Sequence, residues 1–196
     1  MFDLAEHALA EAGFDVLGGY LSPVNDSYGK PGLLPAEHRL RMCELAADAA
    51  PNVMVDRWEA AQPAYQRNLW VLQSVQGRLR TSLKAASMLL CGADVVASFG
   101  APGVWREEHL RGILCDHGVV CIARQGTDVE ALLSQEGTLV QELRGHVLVV
   151  TDPVASALSS TAVRAQTAQG RPIKYLTPDA VVGYIHGNHL YAASKA

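Results

Sequence analysis

Ser159, Ser160, Thr161 and Arg164 stand together in the stretch SSTAVR, which follows the apolar run HVLVV at His146–Val150. An apolar strand, a turn of small hydroxyl residues and a helix start form a ready cradle for phosphate. The first helical N–H groups have no intrahelical partner, and the helix dipole concentrates partial positive charge at that end. Arg164 lies one turn inside and adds a planar fork of donors suited to phosphate. Ser and Thr at such a place are also ordinary helix caps. A second candidate is Gly92 with Asp94, just past the apolar run SMLLC. A glycine at the carboxyl end of a strand lets a ligand approach the backbone, and open α/β sheets bind ligands at that edge. Asp94 has two readings, an acceptor for ribose or amide hydrogens and a cap for the helix that follows it.

The elements that must hold these residues alternate. Helices are expected over Met1–Ala12, from Pro35 to about Ala49, over Pro63–Gln76, Asp94–Phe99, Trp105–Asp116 and Asp128–Leu143, from the SST turn to about Gln169, and from Pro178 to about His186. Strands are expected over Asp15–Leu21, Val53–Asp56, Ser87–Cys91, Val119–Ala123 and His146–Thr151. Ser22–Leu34, with two prolines, two glycines, Asn25 and Asp26, reads as a long loop, and the basic Gly77–Ala86 as a solvated one. Strands alternating with helices predict an α/β fold, a mostly parallel sheet with helices on both faces. MLLC and HVLVV read as strands buried on both sides. There is no repeat and no linker, so residues 1–196 read as a single domain.

Composition narrows the function classes. Of the 196 residues 49% are hydrophobic and 18% charged, and the formal net charge is −4. That is an ordinary globular core. An acidic chain does not read as a nucleic-acid binder, because non-specific binding rests on Lys and Arg neutralising phosphates. Cys43, Cys91, Cys115 and Cys121 form no C-x-x-C pair and complete no zinc pattern. They read as reduced thiols in a cytoplasmic or nuclear protein. No run spans a bilayer and no secretory signal is visible, so no membrane partner is expected.

Five blocks in order carry a resemblance. They are GGYLSPVNDSYGKPGLLPAEHRLRMCELA at Gly18–Ala46, VDRWEAAQPAYQRNLWVL at Val55–Leu72, LLCGADVVASFGAPGVW at Leu89–Trp105, SSTAVR, and IKYLTPDAVVGYIHGNHLY at Ile173–Tyr191. Together they resemble the nicotinamide/nicotinate mononucleotide adenylyltransferases, with the plant or algal form most similar. The resemblance implies a Rossmann-like nucleotidyltransferase fold. It implies transfer of the adenylyl group of ATP to nicotinamide or nicotinate mononucleotide, giving NAD or deamido-NAD and pyrophosphate. It implies Mg²⁺ carried in with ATP rather than by a dedicated protein site, and it admits a homo-oligomer.

Residue by residue, the resemblance assigns ATP contacts to Gly92, Asp94, Asp152, Ser159, Ser160, Thr161, Ala162, Val163 and Arg164, with Arg164 also catalytic. It assigns mononucleotide contacts to Lys30, Trp58, Tyr65, Asn68, Val104 and Trp105, with Trp105 stacking on the pyridine ring. Tyr65 stands where the family often has Trp, Asn68 where Thr is usual, and Ser156 where Asn is usual. The family opens with an apolar strand and a G-x-F-x-P-x-H/T-x-x-H motif, while Met1–Ala5 matches the interior of the following helix. The expectation is therefore a fold with its first strand and its histidine missing, and His38, which belongs to another block, does not replace that histidine. A catalytically impaired fragment, or a non-catalytic nucleotide-binding or chaperone-like relative on the same fold, is the alternative.

Overall fold

The computed structural model describes residues 1–82, 85–124, 128–154 and 158–192. They form two compact units, one of residues 1–16 and 67–155, the other of residues 17–66 and 156–196. All strands described are parallel, as βαβ connections require. They lie in two sheets, one in each unit.

The first unit is built on three strands, β3 (Leu89–Gly92), β4 (Val119–Ala123) and β5 (Val147–Thr151), in the order β3-β4-β5. Cys91 pairs with Cys121, and Cys121 with Val149. Side chains alternate across the sheet with period two. Leu89, Cys91, Val119, Cys121, Ala123, Val147 and Val149 face one core cluster, and Met88, Leu90, Val120, Ile122, Leu148 and Val150 face another. The helix α1 (Phe2–Glu11) covers the second face through Ala5 and Leu9. Leu69 and Leu72 of α3 (Asn68–Ser82), Val96 and Phe99 of α4 (Ala93–Phe99) and Leu110 of α5 (Glu107–Arg111) cover the first. Ile113 and Leu114, in the π-helical turn Gly112–His117 after α5, are fully enclosed. Burying such a side chain contributes about 1.5–3 kcal/mol. Helices thus lie on both faces of a parallel sheet, as the alternating pattern predicts. The strand buried along its whole length is the central β4, whereas β3 and β5 are only partly buried. That corrects the reading of MLLC and HVLVV as buried on both sides: an outer strand has a neighbour on one edge only.

The second unit pairs β1 (Gly19–Leu21) with β2 (Val53–Val55), Gly19 opposite Val53. The helix α2 (Ala36–Ala47) packs on β2 and on α9 (Asp179–Gly187). Ile173, Val181, Ile185 and Leu190 form its core, with Met42, Leu45 and Val163 against them. His38 Nδ1 lies 2.9 Å from the Tyr184 hydroxyl, so His38 ties α2 to α9. The helix α8 (Ser160–Ala168) completes the unit.

Four expected elements differ. The helix expected over Trp105–Asp116 starts at Glu107 and passes into the π-helical turn at Gly112. The first strand shrinks from Asp15–Leu21 to the three residues of β1. The helix expected at Pro63 starts at Asn68, because the preceding segment is held otherwise. Asn25 Nδ2 donates to the carbonyls of Ala60 and Gln62 at 3.1 and 2.6 Å, and the first helical N–H groups, of Trp70 and Val71, bond the Arg67 carbonyl. The same helix runs on to Ser82, through part of what reads as a basic loop, because Leu79 continues the apolar spacing of Leu69, Leu72 and Val75. Asp128–Leu143 divides into α6 (Val129–Leu133) and α7 (Leu139–Glu142). Gly137 adopts φ +73, and Thr138 caps α7 by accepting the Gln141 N–H. Among the described residues no helix is long and apolar enough to cross a membrane.

Candidate active site

In the first unit the parallel register brings the carboxyl ends of β3, β4 and β5 to one edge, and the polar candidates lie in the turns that leave it. Gly92 closes β3 and stands at the N-cap of α4. A Cβ at Gly92 would meet Asp94 Oδ1 at 2.7 Å, so any side chain there would push the carboxylate aside. No side-chain hydrogen bond caps α4, and Asp94 is exposed in its first turn. Its charge is favoured there by the helix dipole. Asp152 follows β5. Its N–H donates to the Ala123 carbonyl at 2.8 Å, extending the ladder, and its Oδ1 accepts the Val154 N–H at 3.0 Å. Trp105 is half-buried, perpendicular to Phe99 with centroids 5.1 Å apart, and its Nε1–H donates to Ser98 Oγ at 2.9 Å. Val104 is exposed beside it, and Asn68 is half-buried at the start of α3.

In the second unit Ser159 is the N-cap of α8. Its Oγ accepts the Ala162 N–H at 3.1 Å, and its carbonyl accepts the Val163 N–H at 3.0 Å. The N–H groups of Ser160 and Thr161 are thereby set in the open first turn. Arg164 folds back toward that turn, Nη2 donating to Thr161 Oγ1 at 3.2 Å. A guanidinium, two hydroxyls and a helix N-terminus thus present positive charge and donors on one short segment. Burial pushes the Tyr191 phenol up, while the charges of Arg164 and Arg39 pull it the other way.

The Ser22–Leu34 loop carries Lys30, which is exposed. Several contacts fix this loop to the segment after β2. Ser22 Oγ donates to Glu59 Oε2 at 2.6 Å, and the buried Asn25 bonds two carbonyls as described. Asp26 accepts the Ala36 N–H and an Arg39 guanidinium N–H, and together these hold its carboxyl below the usual value. On that segment the Trp58 N–H donates to Asp56 Oδ1 at 3.1 Å, and Tyr65 stacks on Tyr28 at 5.2 Å with planes 28° apart.

A cytidylyltransferase-like family model matches residues 2–166. The nicotinamide/nicotinic acid mononucleotide adenylyltransferase of Arabidopsis thaliana is 48% identical over 198 residues, covering 97% of this chain and 82% of that protein. The enzyme of the same name from Oryza sativa subsp. japonica is 45% identical, covering 97% of this chain and 78% of its own length. The nicotinamide/nicotinic acid mononucleotide adenylyltransferase 1 of Saccharomyces cerevisiae is 36% identical, and the matched region is 51% of it. The chain belongs to this adenylyltransferase family.

Within this adenylyltransferase the candidates divide between the units. Asn68, Gly92, Asp94, Val104, Trp105 and Asp152 belong to the first, and Lys30, Trp58, Tyr65 and Ser159–Arg164 to the second. Ser156 lies outside the described residues. Sequence reasoning passed over Tyr28, Asn25 and Ser98. Tyr28 forms a stacked pair with a candidate, Asn25 holds the segment that carries it, and Ser98 ties down Trp105. Asn25 had a signal, since Asn followed by Asp-Ser is an Asx-turn former; its Oδ1 does accept the Ser27 N–H at 2.9 Å. The Tyr28 and Ser98 contacts depend on how loops fold back, which spacing does not encode.

Proposed function

We propose that this adenylyltransferase joins the adenylyl group of ATP to nicotinamide mononucleotide or nicotinate mononucleotide. The mononucleotide phosphate oxygen bonds to the α-phosphorus, the bond from that phosphorus to the bridging β-phosphate oxygen breaks, and pyrophosphate leaves with the electron pair. No protein nucleophile is needed, so catalysis is positioning and stabilisation of developing negative charge. The observation that carries the reading is the Ser159-capped turn with Arg164 folded back over it, in a chain similar along 97% of its length to plant enzymes of that name.

Ser160 and Thr161 N–H groups and the Arg164 guanidinium would take ATP phosphate oxygens, with Ala162 and Val163 completing the turn. Gly92 would let the nucleotide approach the end of β3, and Asp94 and Asp152 would accept hydroxyl or amide hydrogens. Lys30 would meet the mononucleotide phosphate. Trp105 would offer an aromatic face to a pyridinium, which is attracted to it as a cation, and Trp58 and Tyr65 are the aromatic candidates of the second unit. The Val104 backbone and the Asn68 amide would read the ring substituent. The donors at the nucleotide turn are hydroxyls, N–H groups and a guanidinium, and among the described residues no three His, Cys, Asp or Glu gather to hold an ion. Mg²⁺ carried in with ATP would neutralise phosphate charge at that turn. A cytoplasmic or nuclear setting is supported by the four unbridged cysteines.

The test is pyrophosphate release from ATP plus either mononucleotide with Mg²⁺. Wild type should turn over, and Arg164→Ala should lower kcat about 10²–10³-fold, the cost of removing one transition-state donor. Retention of full kcat by Arg164→Ala would remove the arginine from the mechanism. No turnover by the folded wild type with either mononucleotide would sink the reading.

A further inference from the structure

Ser98 is placed one residue before the end of α4, and its hydroxyl makes two bonds in series. The Oγ–H donates to the Val95 carbonyl at 2.6 Å, and the same Oγ accepts the Trp105 Nε1–H at 2.9 Å. A serine hydroxyl bonding the carbonyl one turn back is a common local habit in helices. The second bond is not local: it reaches seven residues on, across the turn through Gly100–Val104. The first bond spends the hydroxyl's only proton, so its lone pairs are turned outward as acceptors for the indole. Phe99, the next residue, is buried and stands perpendicular to the Trp105 ring at 5.1 Å. One hydrogen bond and one ring contact therefore fix both the rotation and the seat of an indole that is only half-buried. Its N–H is consumed, so what it can offer a ligand is its π-surface.

We infer that Ser98 is a positioning residue for adenylyl transfer: it sets the plane of Trp105 on which the pyridine ring of the mononucleotide stacks. This rests on the functional reading above. Losing the bond frees the indole to turn, and a stacked cation is sensitive to ring orientation. The ATP side of the reaction is left alone.

The test uses the full chain with Ser98→Ala and Ser98→Thr, measuring KM for nicotinamide mononucleotide and for ATP, kcat, and the indole ¹H–¹⁵N resonances of the three tryptophans. Trp105→Phe assigns the Trp105 resonance. In Ser98→Ala that resonance should shift and exchange faster with water. KM for the mononucleotide should rise about three- to tenfold, the worth of one ordinary hydrogen bond, with KM for ATP changed less than about twofold. Ser98→Thr, which keeps an acceptor oxygen, should restore both readouts. An unmoved resonance, equal rises in both KM values, or failure of Ser98→Thr to rescue would overturn the role. A moved resonance with an unchanged mononucleotide KM would overturn it too, while leaving adenylyl transfer standing. Absence of turnover in wild type would instead take down the functional reading and this inference with it.

Discussion

Asn68 half-buries its side-chain amide at the first turn of α3. A primary amide both donates and accepts, so it can face a carboxamide or a carboxylate on the pyridine ring. Asn68→Asp keeps the shape and removes the donor, adding a negative charge. Against the carboxylate of nicotinate mononucleotide that charge is repulsive; against nicotinamide the acceptor remains. We expect kcat/KM for the acid substrate to fall about tenfold or more relative to the amide, equivalent to ~1.4 kcal/mol of discrimination. Parallel loss on both substrates would mean that Asn68 does not read the substituent. At this scale the sequence was legible where a side chain acts on its own stretch of backbone. Ser159 is such a place, its hydroxyl capping α8 by accepting the Ala162 N–H. It was not legible where a side chain acts through a neighbour. Ser98 looks like any helix serine until its contact with Trp105 is seen.

Among the elements, strand cores and helix faces were readable from periodicity, and β4 matches its expected bounds, Val119–Ala123. What failed was the competition between local signals and tertiary bonds. Pro63 is a good first-turn residue, yet Asn25 and Tyr28 take hold of the segment around it and delay α3 to Asn68. The contact between Ser22 and Glu59 that helps pin the loop has a pH signature. Burial pushes the Glu59 carboxyl above its ordinary value of 4.5, opposed by the Ser22 hydrogen bond and the Arg39 charge and aided by Asp56. The folded state thus holds this proton more tightly than the unfolded chain. Its contribution to stability is most favourable below the ordinary carboxylate value and is lost as pH rises from there through the folded value. Glu59→Gln keeps an acceptor for the Ser22 hydroxyl and removes the buried charge. The variant should gain up to about 1 kcal/mol over wild type at neutral pH, and the gain should vanish as pH falls into the carboxylate range. Urea midpoints of both proteins from pH 4 to 8 would read this; a difference that does not depend on pH would contradict it.

The chain as a whole is acidic, with four thiols distributed very unequally through its packing. The sequence reads the cysteines as reduced thiols but does not show which of them the core encloses, because that depends on which strand becomes central. Cys121 sits on β4 with no exposed surface, Cys91 is buried opposite it on β3, Cys43 is half-buried on α2, and Cys115 is exposed. A thiol reacts with a disulfide reagent only as an accessible thiolate. Burial raises the Cys43 thiol, which adds to its steric protection. Cys91 and Cys121 can react only when the sheet of the first unit opens, so their rate reports the population of the opened state. Under native conditions near neutral pH one thiol equivalent should titrate quickly and be lost in Cys115→Ser. The Cys43 thiol should follow more slowly, and the Cys91 and Cys121 pair should react last, accelerating together across the urea transition. Four thiols should titrate at once in denaturant. Rapid native labelling of Cys121 would mean that β4 is not the closed centre of its sheet, and the packing that positions Gly92, Asp94 and Trp105 would have to be redrawn.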